Sequence, residues 1–152
     1  MNRLHSALAC LLLAAAIPSP SHASSTEARI QRGAEVIREL NNGKAQPTLE
    51  TMRREFPFLA EATEAYALGD VWSRPGLDNR TRQLAAVAVM AALGETAMMR
   101  VHAGYALNIG VSEDELKEAI YLITVPVGFP RAIAASQALA QLFQQRRAAA
   151  GG

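Results

Sequence analysis

The stretch MMRVHAGYALNIG around His102 places an imidazole in an apolar segment with helical spacing. The other two histidines, His5 and His22, lie in a predicted leader. On a helix, the neighbours of His102 include Glu95 and Tyr105 among apolar side chains. Apolar surroundings favour the neutral imidazole and a carboxylate favours the charged form, so such a histidine is suited to proton exchange near neutral pH. The residues alone equally support a core histidine whose nitrogens bond to the backbone or to Tyr105.

The N-terminal segment has the pattern of a cleaved signal peptide. Arg3 supplies a positive charge, and the apolar run ALACLLLAAAI follows it. The run is shorter than the roughly 20 residues that a membrane-spanning helix needs. Ser21 and Ala23 are small residues, spaced as at a signal-peptidase site. We therefore predict a signal peptide over residues 1–23, export to the periplasm or beyond, and a single domain over residues 24–152.

Removing the leader changes which chemistry is available. The remaining chain has 14 basic and 14 acidic residues, which gives no electrostatic basis for binding nucleic acid or an anionic membrane. The leader also carries Cys10, the only cysteine, so the mature chain would form no disulfide and perform no thiol chemistry. A closed zinc site needs several Cys or His ligands, and only His102 remains.

The rest of the sequence predicts helices. Apolar residues recur at helical spacing, and the only candidate strands, VAV and YLITV, sit inside helical patterns. Asp78 is a predicted N-cap, Gly94 a predicted helix end, and Ser112 with Glu115 a predicted capping box. VPVGFP is expected to interrupt the chain before a last helix. The sequence thus predicts an all-α fold of about six helices.

One predicted helix lacks a polar face beyond its first turn. Residues 84–93 read LAAVAVMAAL. Such a helix must be covered on every side, either by another subunit or by the other helices of the chain. We expect a homo-oligomer, the alternative being a central helix wrapped within one chain.

Three segments together resemble the carboxymuconolactone decarboxylase family. They are GDVWSRPGLDNRTRQL, AALGETAMMRVHAGYALNIGVSEDELKEAI and VGFPRAIAA. The resemblance covers roughly residues 32–143 and is closer to the 4-carboxymuconolactone decarboxylase branch than to the hydroperoxidase branch. It implies an all-helical AhpD-like fold, assembly as a homo-trimer or homo-hexamer, a small-molecule substrate, and no metal or organic cofactor.

The hydroperoxidase branch uses a Cys-x-x-Cys-x-x-x-His motif and an upstream glutamate as a proton relay. Aligned on His102, that motif places its cysteines at Glu95 and Met98, and its glutamate at about Gln83. The sulfurs and the relay carboxylate are absent, which excludes thiol peroxidase activity.

The decarboxylase branch requires loss of carbon dioxide from a carboxylated lactone and protonation of the resulting enolate. The resemblance places the family's histidine at His102, which we take as the general acid/base. Tyr105 is a candidate to orient it or to donate to the lactone, and Glu95 completes the candidate catalytic group.

Arg74, Arg80 and Trp72 are candidate ligands for the substrate carboxylates, because arginine binds carboxylates with two parallel hydrogen bonds. Salt bridges from the arginines to Asp70 or Asp78 are an equal alternative. Trp72 is also a candidate core or interface residue.

Two features differ from the decarboxylase pattern. Ala97, Met98 and Met99 precede the histidine where polar residues are common, and the leader would export the enzyme. Two rival functions follow: an exported enzyme acting on another lactone or β-keto acid, and a non-catalytic oligomer that binds a small carboxylate. If the chain is an enzyme, we expect a pocket that holds His102 and an arginine. If it is a binder, we expect a buried His102 that bonds to backbone, away from any cavity.

Overall fold

The computed structural model describes residues 24–152 and contains only helices and connecting turns there. The predicted signal peptide, residues 1–23, lies outside the described residues. The prediction of an all-helical fold is confirmed. The helices are α1 (Thr26–Leu40), α2 (Pro47–Glu55), α3 (Pro57–Ala62) with a π-helical continuation (Thr63–Trp72), α4 (Asn79–Leu93), α5 (Thr96–Asn108), α6 (Glu113–Val127) and α7 (Phe129–Ala150). Within 24–152, no helix has the length and apolar character that crossing a bilayer requires.

The helix ends follow the local sequence signals. The Asp78 carboxylate accepts a hydrogen bond from the backbone N–H of Thr81 at 2.7 Å and opens α4. Gly94 ends that helix with a φ of 84°, a left-handed conformation that glycine adopts without strain. Ser112 and Glu115 form the predicted reciprocal capping box at the start of α6. These ends set the lengths of the two helices that precede and follow α5.

The predicted interruption at VPVGFP is confirmed, and within that segment it falls on the glycine. Helix α6 continues through Pro126 to Val127, and the chain turns at Gly128, whose φ is 81°. Pro126 lies in the last turn of α6, so its missing N–H and its ring disturb only the end of the helix. The change of direction therefore depends on the glycine rather than on the proline.

Helix α1 packs very closely against the π-helical segment. A Cβ added at Gly33 would lie 2.2 Å from the carbonyl oxygen of Glu64, and one added at Gly69 would lie 2.0 Å from that of Arg29. Only glycine permits backbones to approach this closely. Arg29 also donates from Nε to the Asp70 carboxylate at 2.8 Å. Together these contacts fix the end of the π-helical segment, where Trp72 lies.

Helices α4 to α7 enclose the larger apolar core. Val87 and Ala91 of α4 are fully buried in it. Val89 and Leu93 on the same helix, however, are 55% and 62% exposed. The alternative in which α4 is wrapped on all sides within one chain is therefore wrong, and the homo-oligomer stays a prediction.

Candidate functional site

His102 lies on α5, half-buried between α4 and the end of the π-helical segment. Its Nδ1 atom is 3.0 Å from Oε1 of Gln83 on α4. The Trp72 ring stacks on the imidazole with a centroid distance of 5.6 Å and an angle of 25° between the rings. Tyr105, one turn further along α5, presents its ring edge-on, at 6.1 Å and 90°. Three helical segments therefore hold the imidazole in one orientation.

The imidazole borders a cavity of about 360 Å³. Most of its wall is aliphatic or aromatic, and its polar groups are one neutral amide, three hydroxyls, the Trp72 indole N–H and the imidazole itself. The lining residues are Ile37, Gln46, Thr48, Leu49, Met52, Thr63, Ala67, Leu68, Trp72, Met98, Val101, His102 and Tyr105. No Asp, Glu, Lys or Arg of residues 24–152 is among them. The volume is in the range of small-molecule sites.

Burial controls the protonation of the two titratable groups in this wall. Desolvation lowers the pKa of His102, since burial disfavours the charged imidazolium. Desolvation raises the pKa of the Tyr105 phenol, and a hydrogen bond from Gln46 opposes part of that shift. Near neutral pH the resting site therefore holds a neutral imidazole and a neutral phenol.

Gln46 connects the start of α2 to the phenol. Its side-chain oxygen accepts from the backbone N–H of Thr48 at 2.9 Å and caps α2. Its Nε2 donates to the Tyr105 hydroxyl oxygen at 2.8 Å. Because that oxygen serves as an acceptor here, the phenol proton is left to donate elsewhere.

Comparison with known proteins decides the family. Residues 57–141, more than half of the chain, match the model of the carboxymuconolactone decarboxylase family. The chain belongs to this family. It is 35% identical to a 4-carboxymuconolactone decarboxylase of Acinetobacter baylyi over 119 residues, covering 78% of this chain and 89% of that protein. It is also 35% identical to the nitrosuccinic acid decarboxylase of Metarhizium robertsii over 89 residues, covering 55% of this chain and 61% of that protein. The predicted family is confirmed, and both relatives carry the predicted enzyme class in their names.

In this family member the structure brings together three of the six residues that the sequence singled out. His102, Tyr105 and Trp72 share the cavity wall. The indole N–H of Trp72 donates to Oδ1 of Asn79 at 3.1 Å, so this group holds the π-helical segment to α4. Trp72 is therefore both a wall of the cavity and a structural contact.

The other three lie elsewhere. Arg80 pairs with Glu115 and donates to the carbonyl oxygen of Gly110 at 3.1 Å. Arg74 is exposed and borders a separate groove beyond Trp72. Glu95 is exposed at the N-terminus of α5 and does not line the cavity. The roles predicted for these three residues stay predictions.

The arrangement meets one of the two features expected of an enzyme site and differs from the site expected of a binder. His102 borders a cavity, as an enzyme requires, and its hydrogen bond goes to a side chain instead of the backbone. The arginine expected beside it is absent from the wall that the described residues form. A charged ligand in this cavity would therefore contact only neutral side chains of the described residues and the imidazole.

Sequence reasoning missed Gln83 and Gln46. Gln83 had a readable signal, because it lies one and two helical turns before the buried Val87 and Ala91, so a polar side chain occupies the core-facing stripe of α4. In the sequence, Gln83 stands out only as the position where the relay carboxylate of the hydroperoxidase branch is absent. Gln46 lies in a turn before Pro47 and has no comparable signal. In residues 24–152 no cluster of three or more potential metal ligands is present.

Proposed function

We propose that this chain is a cofactor-free decarboxylase of a small carboxylated lactone, 4-carboxymuconolactone first, with His102 as the proton carrier. The observation that carries the proposal is a half-buried imidazole bordering an otherwise uncharged, largely apolar cavity beside a phenol. The likeness to a named 4-carboxymuconolactone decarboxylase over most of both chains supports the same substrate.

The apolar wall would assist the bond-breaking step. A carboxylate that leaves water for this cavity loses solvation, whereas the carbon dioxide that it becomes is neutral. The electron pair of the broken carbon–carbon bond moves into the lactone carbonyl and forms an extended enolate. Leu68, Met98 and Val101 contribute apolar surface to this wall.

The Tyr105 hydroxyl would stabilise the enolate. Its oxygen already accepts a hydrogen bond from Gln46, and its proton is available to the lactone oxygen. A donor fixed in place before the reaction stabilises the charge that develops in the transition state.

His102 would complete the reaction by protonating carbon. The resting imidazole is neutral because burial lowers its pKa. A bound substrate carboxylate favours the imidazolium, so the ring takes up one solvent proton when substrate binds. It then transfers that proton to the enolate carbon and returns to the neutral form, which balances the charge of the cycle.

A second substrate class is favoured by the nitrosuccinic acid decarboxylase relative. In that class an electron-withdrawing group next to the departing carboxylate accepts the electron pair, so no lactone is needed. A β-keto acid meets the same requirement. The same cavity residues would serve, with Tyr105 donating to the oxygen of the activating group.

Further parts of the proposal concern the protein around the site. We keep the homo-trimer or homo-hexamer, supported by the exposed apolar residues Val89 and Leu93 on α4. We also propose that the mature chain is exported. The remaining alternative function is non-catalytic binding of a small carboxylate.

The test is turnover of 4-carboxymuconolactone by the purified full chain, followed as lactone loss and carbon dioxide release. His102→Gln keeps a polar side chain but cannot carry the proton, and kcat is expected to fall by about a hundredfold or more. Tyr105→Phe removes only the phenol hydroxyl and should lower kcat by about tenfold or more. Tyr121→Phe, at an exposed tyrosine outside the cavity, is the matched control and should leave kcat unchanged.

The outcomes separate the alternatives. No turnover by a folded wild-type chain would contradict the lactone substrate, and nitrosuccinate and β-keto acids would be assayed next. A failure with all of these would favour the binder. Full activity of His102→Gln would contradict the proton-carrier role whatever the substrate.

A further inference from the structure

Gln83 is a buried polar residue without an obvious structural purpose. Its side chain is fully buried on α4, in the same stripe as Val87 and Ala91. Its Nε2 atom is buried without a hydrogen-bond partner among the described residues. A buried amide N–H without a partner destabilises the folded chain, so such a group calls for an explanation.

The other end of the same amide contacts the site. Gln83 Oε1 lies 3.0 Å from Nδ1 of His102. A carbonyl oxygen only accepts hydrogen bonds, so this contact requires the proton on Nδ1. The imidazole's Nε2 then carries the lone pair in the neutral ring. This imidazole Nε2 has no hydrogen-bond partner among the described residues. It is also not fully buried.

We propose that Gln83 is a positioning residue that keeps a proton on Nδ1 of His102 and thereby makes Nε2 the atom that exchanges protons with the substrate. The tautomer assignment stands by itself, and its catalytic consequence rests on the proposed function. Gln83 does not line the cavity, so it acts through His102.

A glutamine serves this purpose differently from a carboxylate. Its oxygen accepts from Nδ1–H in both the neutral ring and the imidazolium, but it supplies no negative charge to hold the imidazolium. Around the ring, α4 presents Gln83, the π-helical segment presents Trp72, and α5 presents Tyr105, all uncharged near neutral pH. The turn before α2 adds only the neutral Gln46 to the wall. The imidazolium formed with substrate therefore stays a strong enough acid to release its proton to carbon.

The tautomer can be measured without substrate. In the full chain labelled with ¹⁵N-histidine, the ring nitrogen signals distinguish a protonated from an unprotonated nitrogen. His102→Gln identifies which of the three histidine signals belongs to His102. Above the pKa of His102, the expected result is a protonated Nδ1 and an unprotonated Nε2. The reverse pattern would mean that the Gln83 amide donates to Nδ1, and it would overturn the proposal.

Two variants test the neutral partner. Gln83→Glu places a carboxylate at the Nδ1 contact and should raise the pKa of His102 by about one unit or more. Gln83→Met keeps the length and burial of the side chain but removes the acceptor, so both tautomers should be populated. Gln137→Glu, at an exposed glutamine on α7, makes the same charge change away from the cavity and should leave the His102 signals unchanged.

Activity gives a separate readout. Gln83→Met should lower kcat more than it raises KM. Gln83→Glu should shift the fall in kcat/KM to higher pH, because it raises the pKa of His102. An unchanged pKa in folded Gln83→Glu would overturn the proposal. If a variant does not fold, the wild-type tautomer still decides. Absence of turnover with the expected tautomer would refute the proposed function alone, whereas turnover with the reverse tautomer would refute this inference alone.

Discussion

Trp72 lies between a cavity and a groove of almost equal volume, one lined by uncharged side chains and the other by charged ones. On one side lies the cavity of about 360 Å³ that His102 borders, with no charged side chain in its described wall. On the other lies a groove of about 350 Å³ that contains Arg74 and several further charged groups. Its charged residues are Arg32, Glu35, Glu39, Arg74 and Asp78.

The contrast shows why the presence of arginine in the sequence does not locate the site around His102. In the groove, three carboxylates compete with an incoming anion for two guanidinium groups, and Arg32 already donates to Asp70. In the cavity, the imidazole lies in surroundings that weaken the solvation of charge. Chemistry that moves one proton and releases a neutral molecule is better served by the second setting.

The largest expected effect that distinguishes the cavity from the groove is on the pH dependence of activity, because His102 borders only the cavity. Because burial lowers the pKa of His102 below its usual value of about 6.5, the proposed cycle requires the free enzyme to take up a proton at neutral pH. We expect kcat/KM to fall about tenfold per pH unit as the pH rises above this lowered pKa. The decline in kcat should begin at a higher pH, since a bound carboxylate raises the pKa of His102.

Steady-state rates between pH 5 and 8 measure the fall in kcat/KM and the fall in kcat. His102→Gln should retain only a small activity without this dependence. A wild-type kcat/KM that rises with pH would show that the neutral imidazole is the reactive form, and would contradict the proton-carrier cycle.

A smaller effect is expected when the cavity is made to resemble the groove. Met98 lines the cavity and is 40% exposed, so a polar side chain of similar length can be accommodated there. Met98→Glu would place a carboxylate near the substrate's own, and KM should rise by about tenfold or more through like-charge repulsion. Met98→Leu preserves the apolar wall and should retain the wild-type KM. Equal KM values for the two variants would show that substrate charge does not enter this cavity.

The smallest effect is expected in the groove itself. Arg74→Gln removes an exposed charge on the far side of Trp72, and kcat/KM should change by no more than about twofold. Arg80→Gln breaks the exposed ion pair to Glu115 and should leave the midpoint of denaturant unfolding almost unchanged. Denaturant titration and steady-state kinetics measure the two quantities. A large rise in KM for Arg74→Gln would instead place the substrate carboxylate in the groove, as the sequence suggested.

Several features of the fold were readable because they are local. Asp78, Gly94 and the pair Ser112 and Glu115 act within one helical turn, and each forms the predicted helix end. The turn at Gly128 lies within the predicted VPVGFP interruption, and the glycine rather than Pro126 marks the end of α6.

The sequence by itself determined the all-helical architecture, the family, and the single histidine of residues 24–152. It could also place Tyr105 beside His102, because residues three apart on a helix share a face. Only the tertiary structure decided that Gln83 and Trp72 contact His102 while Arg74 and Arg80 do not. Helical periodicity fixes which residues share a face, but which faces meet depends on the packing of α4, α5 and the π-helical segment. The position of the π-helical segment also depends on its close approach to α1 at Gly33 and Gly69, a long-range contact that the spacing of residues along the chain does not predict.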